Sequence, residues 1–347
     1  MRRIHGDAPP TPESPQRSRG ELSDLRASAI AGLLLMALLA VAVVYLLRPP
    51  NFDPITIWPF GFWAGGCIIL ALILSPLLHP RRALLVGGIA LIAALAVCEE
   101  PRYLLRSVAR EPDREIAQAR LDGSLVRVIT LNCGGGDERA VTDALALDPD
   151  VLLLQETPGE VALESVVPEG WQRAGWLDPT IMVRGTLQAD DLPRWLAHEM
   201  YVGVAVPERL GRPITIISTR LVHPSLRMDI WRPKVWRDAA RVRKERAHVI
   251  ADLLRQRLRH GEDLPVIIGG DFNTPGGDSL LRPLAQAGLR DVFAAAGRGW
   301  PNTITADFPV SRIDLIYASN VFRPLDARAV ITPHSDHRMV VADMALR

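Results

Sequence analysis

The chain has almost no lysine. Lys234 and Lys244 are the only two; every other basic side chain is arginine or histidine. Such a bias follows from base composition and carries no function by itself. Cysteine is scarce too, with only Cys67, Cys98 and Cys133. Two of these sit in long apolar runs, which leaves Cys133 alone in the rest. A disulfide framework and a cysteine-type metal site are therefore excluded there. An excess of one charge is also lacking. The formal net charge is +1 over 347 residues, so bulk charge selects no partner. No internal repeat is visible.

Long apolar runs are present, and they fill the first hundred residues. Residues 1–27 are rich in Pro, Ser and Arg without apolar periodicity, which predicts a disordered tail. Ala27–Leu47, Phe60–Leu78 and Ala83–Cys98 follow, each nearly free of charge. A cleaved signal peptide would explain one such run and not three. Residues 28–98 are therefore predicted to form three transmembrane helices. Arg2, Arg3, Arg17, Arg19 and Arg26 precede the first run, and Arg81 and Arg82 lie between the second and third. The positive-inside rule then places the N-terminus in the cytoplasm. Three crossings put the remainder outside; without the third, it is cytoplasmic.

Residues 99–124 read as a linker, and 125–347 as a folded domain. "VRVITLN", "PDVLLLQET", "TIMVRG", "YVGVAVP", "PITIISTRLVH", "LPVIIGGDFN", "RIDLIYAS" and "MVVADMAL" read as strands. Asp137–Leu147 reads as a short helix. A long helix is predicted over Pro233–His260, with Val235, Ala239, Val242, Val249 and Leu253 as its apolar stripe. Many strands with few helices between them suggest two packed sheets with helices outside.

The polar residues sit where apolar strands end. Asn132 closes "VITLN", and Glu156 follows "VLLLQ". His223 follows "IISTRLV". Asp271 and Asn273 end "VIIGGDFN", two positions apart and so on one face of an extended chain. Asp314 lies in "RIDLIY", and Asp336 and His337 in "HSDHR". Each alone reads equally well as a turn residue, a cap or a local ion pair. Converging at one rim, they form an oxygen-rich set that suits Mg²⁺.

The order of these motifs resembles the endonuclease/exonuclease/phosphatase superfamily. The resemblance covers about 125–347. It rests on "LN" at Asn132, "LQET" at Glu156, "GGDFNTP", "SRIDLIYAS" and "HSDHRMV". It implies a four-layer α/β sandwich, with two central mixed sheets and flanking helices, in a membrane-tethered member of bacterial type. It implies hydrolysis of phosphate esters with Mg²⁺ or Mn²⁺, while the apolar runs and the arginine distribution place the chain in a bacterial inner membrane with the catalytic domain extracytoplasmic. Glu156, Asn132 and Asp336 would bind metal. Asp271 would activate water, Asn273 would donate to that water or a phosphate oxygen, and His337 backed by Asp314 would act on the phosphoryl group. One motif departs from the family. "STRLVHPSL" has Arg220 where a histidine is expected, so Arg220 and His223 compete for the phosphate. His223 is preferred, because Pro224 would close the strand there.

The substrate class stays open between nucleic acid and phospholipid. Between Arg220 and His260 basic residues outnumber acids, and Trp231 and Trp236 lie among them. Such a stretch suits nucleic-acid phosphates, anionic lipid head groups or plain solvent. A non-catalytic membrane adaptor with the same fold is the reading from another class. No obligate protein partner is evident.

Overall fold

The computed structural model describes residues 19–109, 112–175, 178–224, 226–259 and 264–347. The chain divides into two units, Met1–Ala42 with Gly61–Ala94, and Val43–Phe60 with Leu95–Arg347.

The described part of the first unit is helical. Helix Arg19–Leu47 begins inside the stretch predicted to be disordered. Glu21 in its first turn suits the positive end of the helix dipole. The rest of that predicted tail lies outside the described residues. Glu21–Leu47, with 27 residues, and Pro80–Val97, with 18, are long and apolar enough to cross a membrane. The other apolar run is broken into Phe60–Ile73, 14 residues, and Ser75–Leu78. Fourteen residues rise only about 21 Å against a hydrocarbon core of about 30 Å. Pro76 explains the break, since its ring displaces the carbonyl one turn back.

Among the described residues the second unit holds eleven strands: β1 (Leu125–Asn132), β2 (Val151–Gln155), β3 (Trp171–Ala174), β4 (Thr180–Ala189), β5 (Met200–Pro207), β6 (Ile214–Arg220), β7 (Val266–Asp271), β8 (Leu289–Asp291), β9 (Asp314–Ser319), β10 (Phe322–Val330) and β11 (Met339–Leu346). They form one mixed sheet in the order β10-β11-β1-β2-β4-β5-β6-β7-β9-β8, with β3 added beside β4. Two separate sheets were expected; a single curled one takes their place. Strand β4 makes the continuity. Its Thr180–Val183 half pairs with β2 and its Gly185–Ala189 half with β5. Gly185 permits the bend: its φ is 133°, and a Cβ there would lie 2.3 Å from the Val206 carbonyl oxygen.

The two halves pack on each other through one apolar cluster. Val126, Val128 and Leu153 from one half meet Ile214, Ile216, Ile267 and Ile316 from the other. The outer faces are covered by helices. Pro233–Arg259 packs Val249, Ile250 and Leu253 against Ile217 and Ile268, and its predicted limit, His260, lies outside the described residues. Glu138–Leu145, capped by Asp137, packs Ala140, Val141 and Ala144 against Leu131 and Leu152.

The stretch 99–124 holds two helices, Glu100–Ala109 and Asp113–Leu121, where a linker was expected. They are held because their side chains are buried: Tyr103 packs edge-on against Phe293 at 5.1 Å, and Ala119 joins Leu125, Leu325 and Ala345. Arg312 ties this stretch to the sheet. Its guanidinium is buried and donates to Glu99 at 3.0 and 3.1 Å and to Asp291 at 2.8 Å. Those two acids outweigh its burial and hold it charged. Arg312→Met leaves both without their cation. We expect a loss of about 3–5 kcal/mol in a denaturant titration, the usual result of removing one partner from a buried ion pair. An unchanged midpoint would show that the pairs contribute nothing.

Candidate active site

The interior face of the curled sheet is apolar along most of its length and polar at one end. Side chains alternate along a strand, so the interior set on β1 is Val126, Val128, Thr130 and Asn132. On β2 it is Val151, Leu153 and Gln155, and on β6 Ile214, Ile216, Ser218 and Arg220. Ile267, Gly269 and Asp271 are in phase on β7, and Ile316 and Asp314 on β9. Gln155 Nε2 donates to Ser218 Oγ at 3.2 Å, closing a buried polar layer between the halves. The next layer is the site. Gly270 brings β6 and β7 together there, since a Cβ would lie 1.8 Å from the Thr219 carbonyl oxygen. Arg220 and Asp271 are then register partners.

Asp271 is the centre. Its Oδ1 accepts from the Asn273 N–H at 2.8 Å. Its Oδ2 accepts from Asn132 Nδ2 at 3.2 Å and Asn273 Nδ2 at 3.0 Å. Asn273 is thus spent on aiming the carboxylate, and its amide also donates to the Leu221 carbonyl at 2.8 Å. Burial, with the Asp314 charge beside it, pushes the Asp271 carboxyl up to about 7. His337 Nδ1 is 2.9 Å from Asp314 Oδ2, and both side chains are buried. Burial alone would lower the imidazole, but Asp314 outweighs it and His337 is raised to about 9. Nδ1 is committed to Asp314, so Nε2 is the proton donor left for a ligand. Thr303 Oγ1 accepts from the Asp314 N–H at 3.3 Å, and Ser335 Oγ accepts from the His337 N–H at 3.0 Å.

Glu156 reaches the site by another route. One residue past the interior Gln155, a plain strand would point it away. Its φ of 46° turns the chain instead. Its Oε1 accepts from Asn132 Nδ2 at 3.1 Å and from Arg220, and its Oε2 from the Gly135 N–H at 2.9 Å. Burial would raise the carboxyl, yet Asn132 and Arg220 hold it below its usual value. Asp178 completes the group. It accepts from the Glu156 N–H at 2.8 Å and from Arg220 Nη1 at 2.7 Å. The sequence reading missed Asp178, because Asp-Pro before a strand ordinarily signals a turn.

Two of the predicted residues are exposed. Asp336 has its Oδ1 over Gly134, whose N–H donates to Asn132 Oδ1, and its charge adds to that of Asp314 in raising His337. His223 is the other. Strand β6 ends at Arg220, and Leu221 packs into the outer cluster under the long helix. Of the two competing residues, Arg220 is the one the strand carries to the site, where it contacts Glu156 and Asp178; His223 lies beyond the strand end. We expect Arg220→Ala to lower kcat/KM on the order of 10- to 100-fold, the range for losing charge-assisted hydrogen bonds. His223→Ala should stay within about twofold, as for surface changes. Kinetics of the two variants side by side would show the reverse order if His223 were the phosphate ligand.

The donor set fits a divalent cation. With Asp271 ionised, as it must be to act as a base, four carboxylates, Glu156, Asp178, Asp271 and Asp314, stand against Arg220 and a protonated His337, an excess of two negative charges. Asp314 Oδ1 is buried without a hydrogen-bond partner among the described residues. Ligand atoms of Asp271, Asp314 and His337 lie within 4.8 Å of one another. That closeness is explained by the His337–Asp314 ion pair itself, so we assign the cation elsewhere. Glu156 Oε2 and Asn132 Oδ1 each accept one backbone N–H, leaving a lone pair on hard oxygen donors. These two would hold it.

Comparison with known proteins follows this geometry. The family model of the endonuclease/exonuclease/phosphatase family matches residues 129–337. No curated protein matches the chain. Among solved structures, an endonuclease/exonuclease/phosphatase family protein from Bacteroides thetaiotaomicron is 14% identical, with a TM-score of 0.52 over 64% of this chain and 98% of its own. One from Bacteroides vulgatus is 15% identical, with a TM-score of 0.52 over 65% and 100%. A mannosyl-6-phosphatase from B. thetaiotaomicron is 15% identical, with a TM-score of 0.51 over 64% and 100%. At these identities the likeness is one of fold. The family match spans more than half of the chain, and its limits enclose Asn132, Glu156, Arg220, Asp271, Asp314 and His337: the chain belongs to the endonuclease/exonuclease/phosphatase family.

Proposed function

We propose that the chain is a divalent-cation-dependent hydrolase of phosphodiesters, anchored to a membrane by its apolar helices. The observation that carries this reading is the convergence, at one polar end of the sheet, of the buried Asp271 carboxylate aimed by Asn132 and Asn273 with the buried His337–Asp314 pair; burial raises the Asp271 carboxyl, and Asp314 raises the His337 imidazole. Two groups with environments this different are what acid–base chemistry at neutral pH requires. Water attacks phosphorus opposite the leaving oxygen. Asp271, aimed by Asn132 and Asn273, takes the water's proton. The P–O bond to the leaving group breaks, and His337 Nε2 supplies the proton to the departing alkoxide. Arg220 stands ready as a fixed charge for a phosphoryl oxygen. A bound cation would offset the charge growing on the phosphoryl oxygens. If the run Phe60–Leu78 crosses along with the other two, the arginine distribution puts this unit on the extracytoplasmic side.

The test is turnover by the full chain in detergent of bis(p-nitrophenyl) phosphate, p-nitrophenyl phosphate, an oligonucleotide and a short-chain phospholipid, with Mg²⁺ present. Faster turnover of diesters than of the monoester supports the reading. No turnover of any ester would overturn it and favour a non-catalytic adaptor.

A further inference from the structure

The proposed hydrolysis leaves the substrate class open, and the surroundings of the site bear on it. Strand β7, which carries Asp271, lies between β6 and β9 in the sheet. The chain leaves β6 and enters β9 at the site end, so the stretch after Arg220 and the stretch before Asp314 flank the site. Both present large apolar side chains to solvent. Leu226 is 63% exposed, Met228 50% and Trp231 76%; Phe308, across the site, is 78% exposed. Isolated exposed residues such as Leu121 or Ile331 need no explanation. A set on two stretches beside a charged site does, because it costs solubility without adding to the core.

The second observation is where the ends of the apolar helices attach. The segment Val43–Phe60 and the chain from Leu95 belong to the same unit as the site. Arg282 donates to the Leu47 carbonyl at 3.0 Å, and Arg243 to Asp53 at 2.8 Å. Trp58 Nε1 donates to the Arg227 carbonyl at 3.4 Å, within the stretch that carries Leu226 and Met228. On the other side Glu99 pairs with Arg312, two residues before Asp314, and Glu100 accepts from Asn302 at 2.8 Å. A small cavity of about 80 Å³ is lined by Arg48 and Ile57 together with Pro275, Gly276 and Asn302. One flank of the site is therefore fastened next to the end of the spanning-length helix Pro80–Val97, and the other to the segment between Arg19–Leu47 and Phe60–Ile73. A tether serving only to hold a soluble enzyme near a membrane has no need of attachments beside the site.

We propose that the substrate is a phospholipid of the anchoring bilayer, with Leu226, Met228, Trp231 and Phe308 entering the interfacial zone around the ester to be cleaved. Arg227 and Arg232 both pair with Asp229, which leaves one net positive charge between Met228 and Trp231, an apolar and cationic combination that an anionic lipid surface favours. A nucleic acid offers bases to stack on, but no counterpart for Leu226 and Met228. This inference rests on the phosphodiesterase reading, and the experiment separates the two.

The full chain is reconstituted in vesicles of phosphatidylglycerol and phosphatidylethanolamine with Mg²⁺. Three substrates are followed: the vesicle lipid, bis(p-nitrophenyl) phosphate and a single-stranded oligonucleotide. We expect the wild type to cleave vesicle lipid. The triple variant Leu226→Ser, Met228→Ser, Trp231→Ser should lose that activity by about tenfold or more, as interfacial binding scales with apolar area. Its turnover of bis(p-nitrophenyl) phosphate should stay within about twofold, which also reports a folded site. If the triple variant fails to fold, Phe308→Ser on the other flank carries the same expectation. Cleavage of the oligonucleotide but not of vesicle lipid overturns the lipid assignment and leaves the phosphodiesterase standing. Equal lipid cleavage by wild type and variants overturns it as well. Absence of turnover on all three overturns both readings.

Discussion

Asp271→Asn should lower kcat by about 10²- to 10⁴-fold, the range for losing a positioned general base, while the protein stays folded. The substitution is isosteric, and the new side-chain oxygen still accepts from the Asn273 N–H. The amide nitrogen then faces Asn132 Nδ2 and Asn273 Nδ2, donor against donor, which costs on the order of 1–3 kcal/mol. An opposing gain comes from charge. Burial raises the Asp271 carboxyl from its ordinary value to about 7. The folded state therefore favours the neutral form, and the penalty for holding it ionised grows as pH climbs from the usual carboxylate range towards 7. Above 7 the penalty is fully present, and the variant removes it. The two effects oppose each other, so the melting midpoint at pH 8 should move little. The wild-type rate should rise with pH as Asp271 ionises near 7 and fall as His337 loses its proton near 9. A bound cation would shift the lower limb to lower pH. A variant that keeps wild-type kcat would remove Asp271 from the reaction.

Much of this site was legible because a strand has a period of two. Ile-Ile-Gly-Gly-Asp in β7 and Val-Ile-Thr-Leu-Asn in β1 announce an apolar face that ends in a polar residue, and the curled sheet brings those ends together. The choice between Arg220 and His223 shows where the pattern stops. Leu221 and His223 share a face only where the strand runs on to His223, and it ends at Arg220. Which face turns inward is decided by Leu221 meeting Val249 and Leu253 of a helix some thirty positions on, and local sequence carries no trace of that. Glu156 was visible as an acid after a strand, but the left-handed turn that swings it inward was not. Asp178 is joined to Glu156 and Arg220 only by folding. Strand β10 was hidden by Pro324 and its charged residues; its Asp326 is buried because Arg298 comes from a distant turn to pair with it. The single sheet depended on Gly185, which reads as an ordinary glycine until Val206 is placed against it.

Removing divalent cations should abolish turnover, and Glu156→Ala should reproduce much of that loss at low cation concentration. The charge inventory is the reason. With Arg220 and protonated His337 counted and Asp271 ionised, the site keeps an excess of two negative charges close to where a phosphodiester, itself an anion, must bind. Without a cation the substrate meets that field in a place where burial weakens screening. Glu156 is the acid best placed to hold the cation, because it is partly open to solvent and a hydrated ion reaches it without unfolding anything. Arg220 already contacts Glu156, so the cation must share that carboxylate, and modest affinity follows. Activity alone would not separate loss of the cation from loss of the site. Binding to the folded state should therefore be read as a rise in melting midpoint with Mn²⁺ or Mg²⁺, equivalent to about 2.7 kcal/mol at a hundred times Kd. The wild type should show this rise, EDTA should reverse it, and Glu156→Ala should show little of it at the same concentration. Glu156→Ala should recover part of its turnover at high Mg²⁺, because Asn132 remains. Full turnover in EDTA would rule out a cation, and an unchanged midpoint shift in Glu156→Ala would move the cation to the Asp271–Asp314 side of the site.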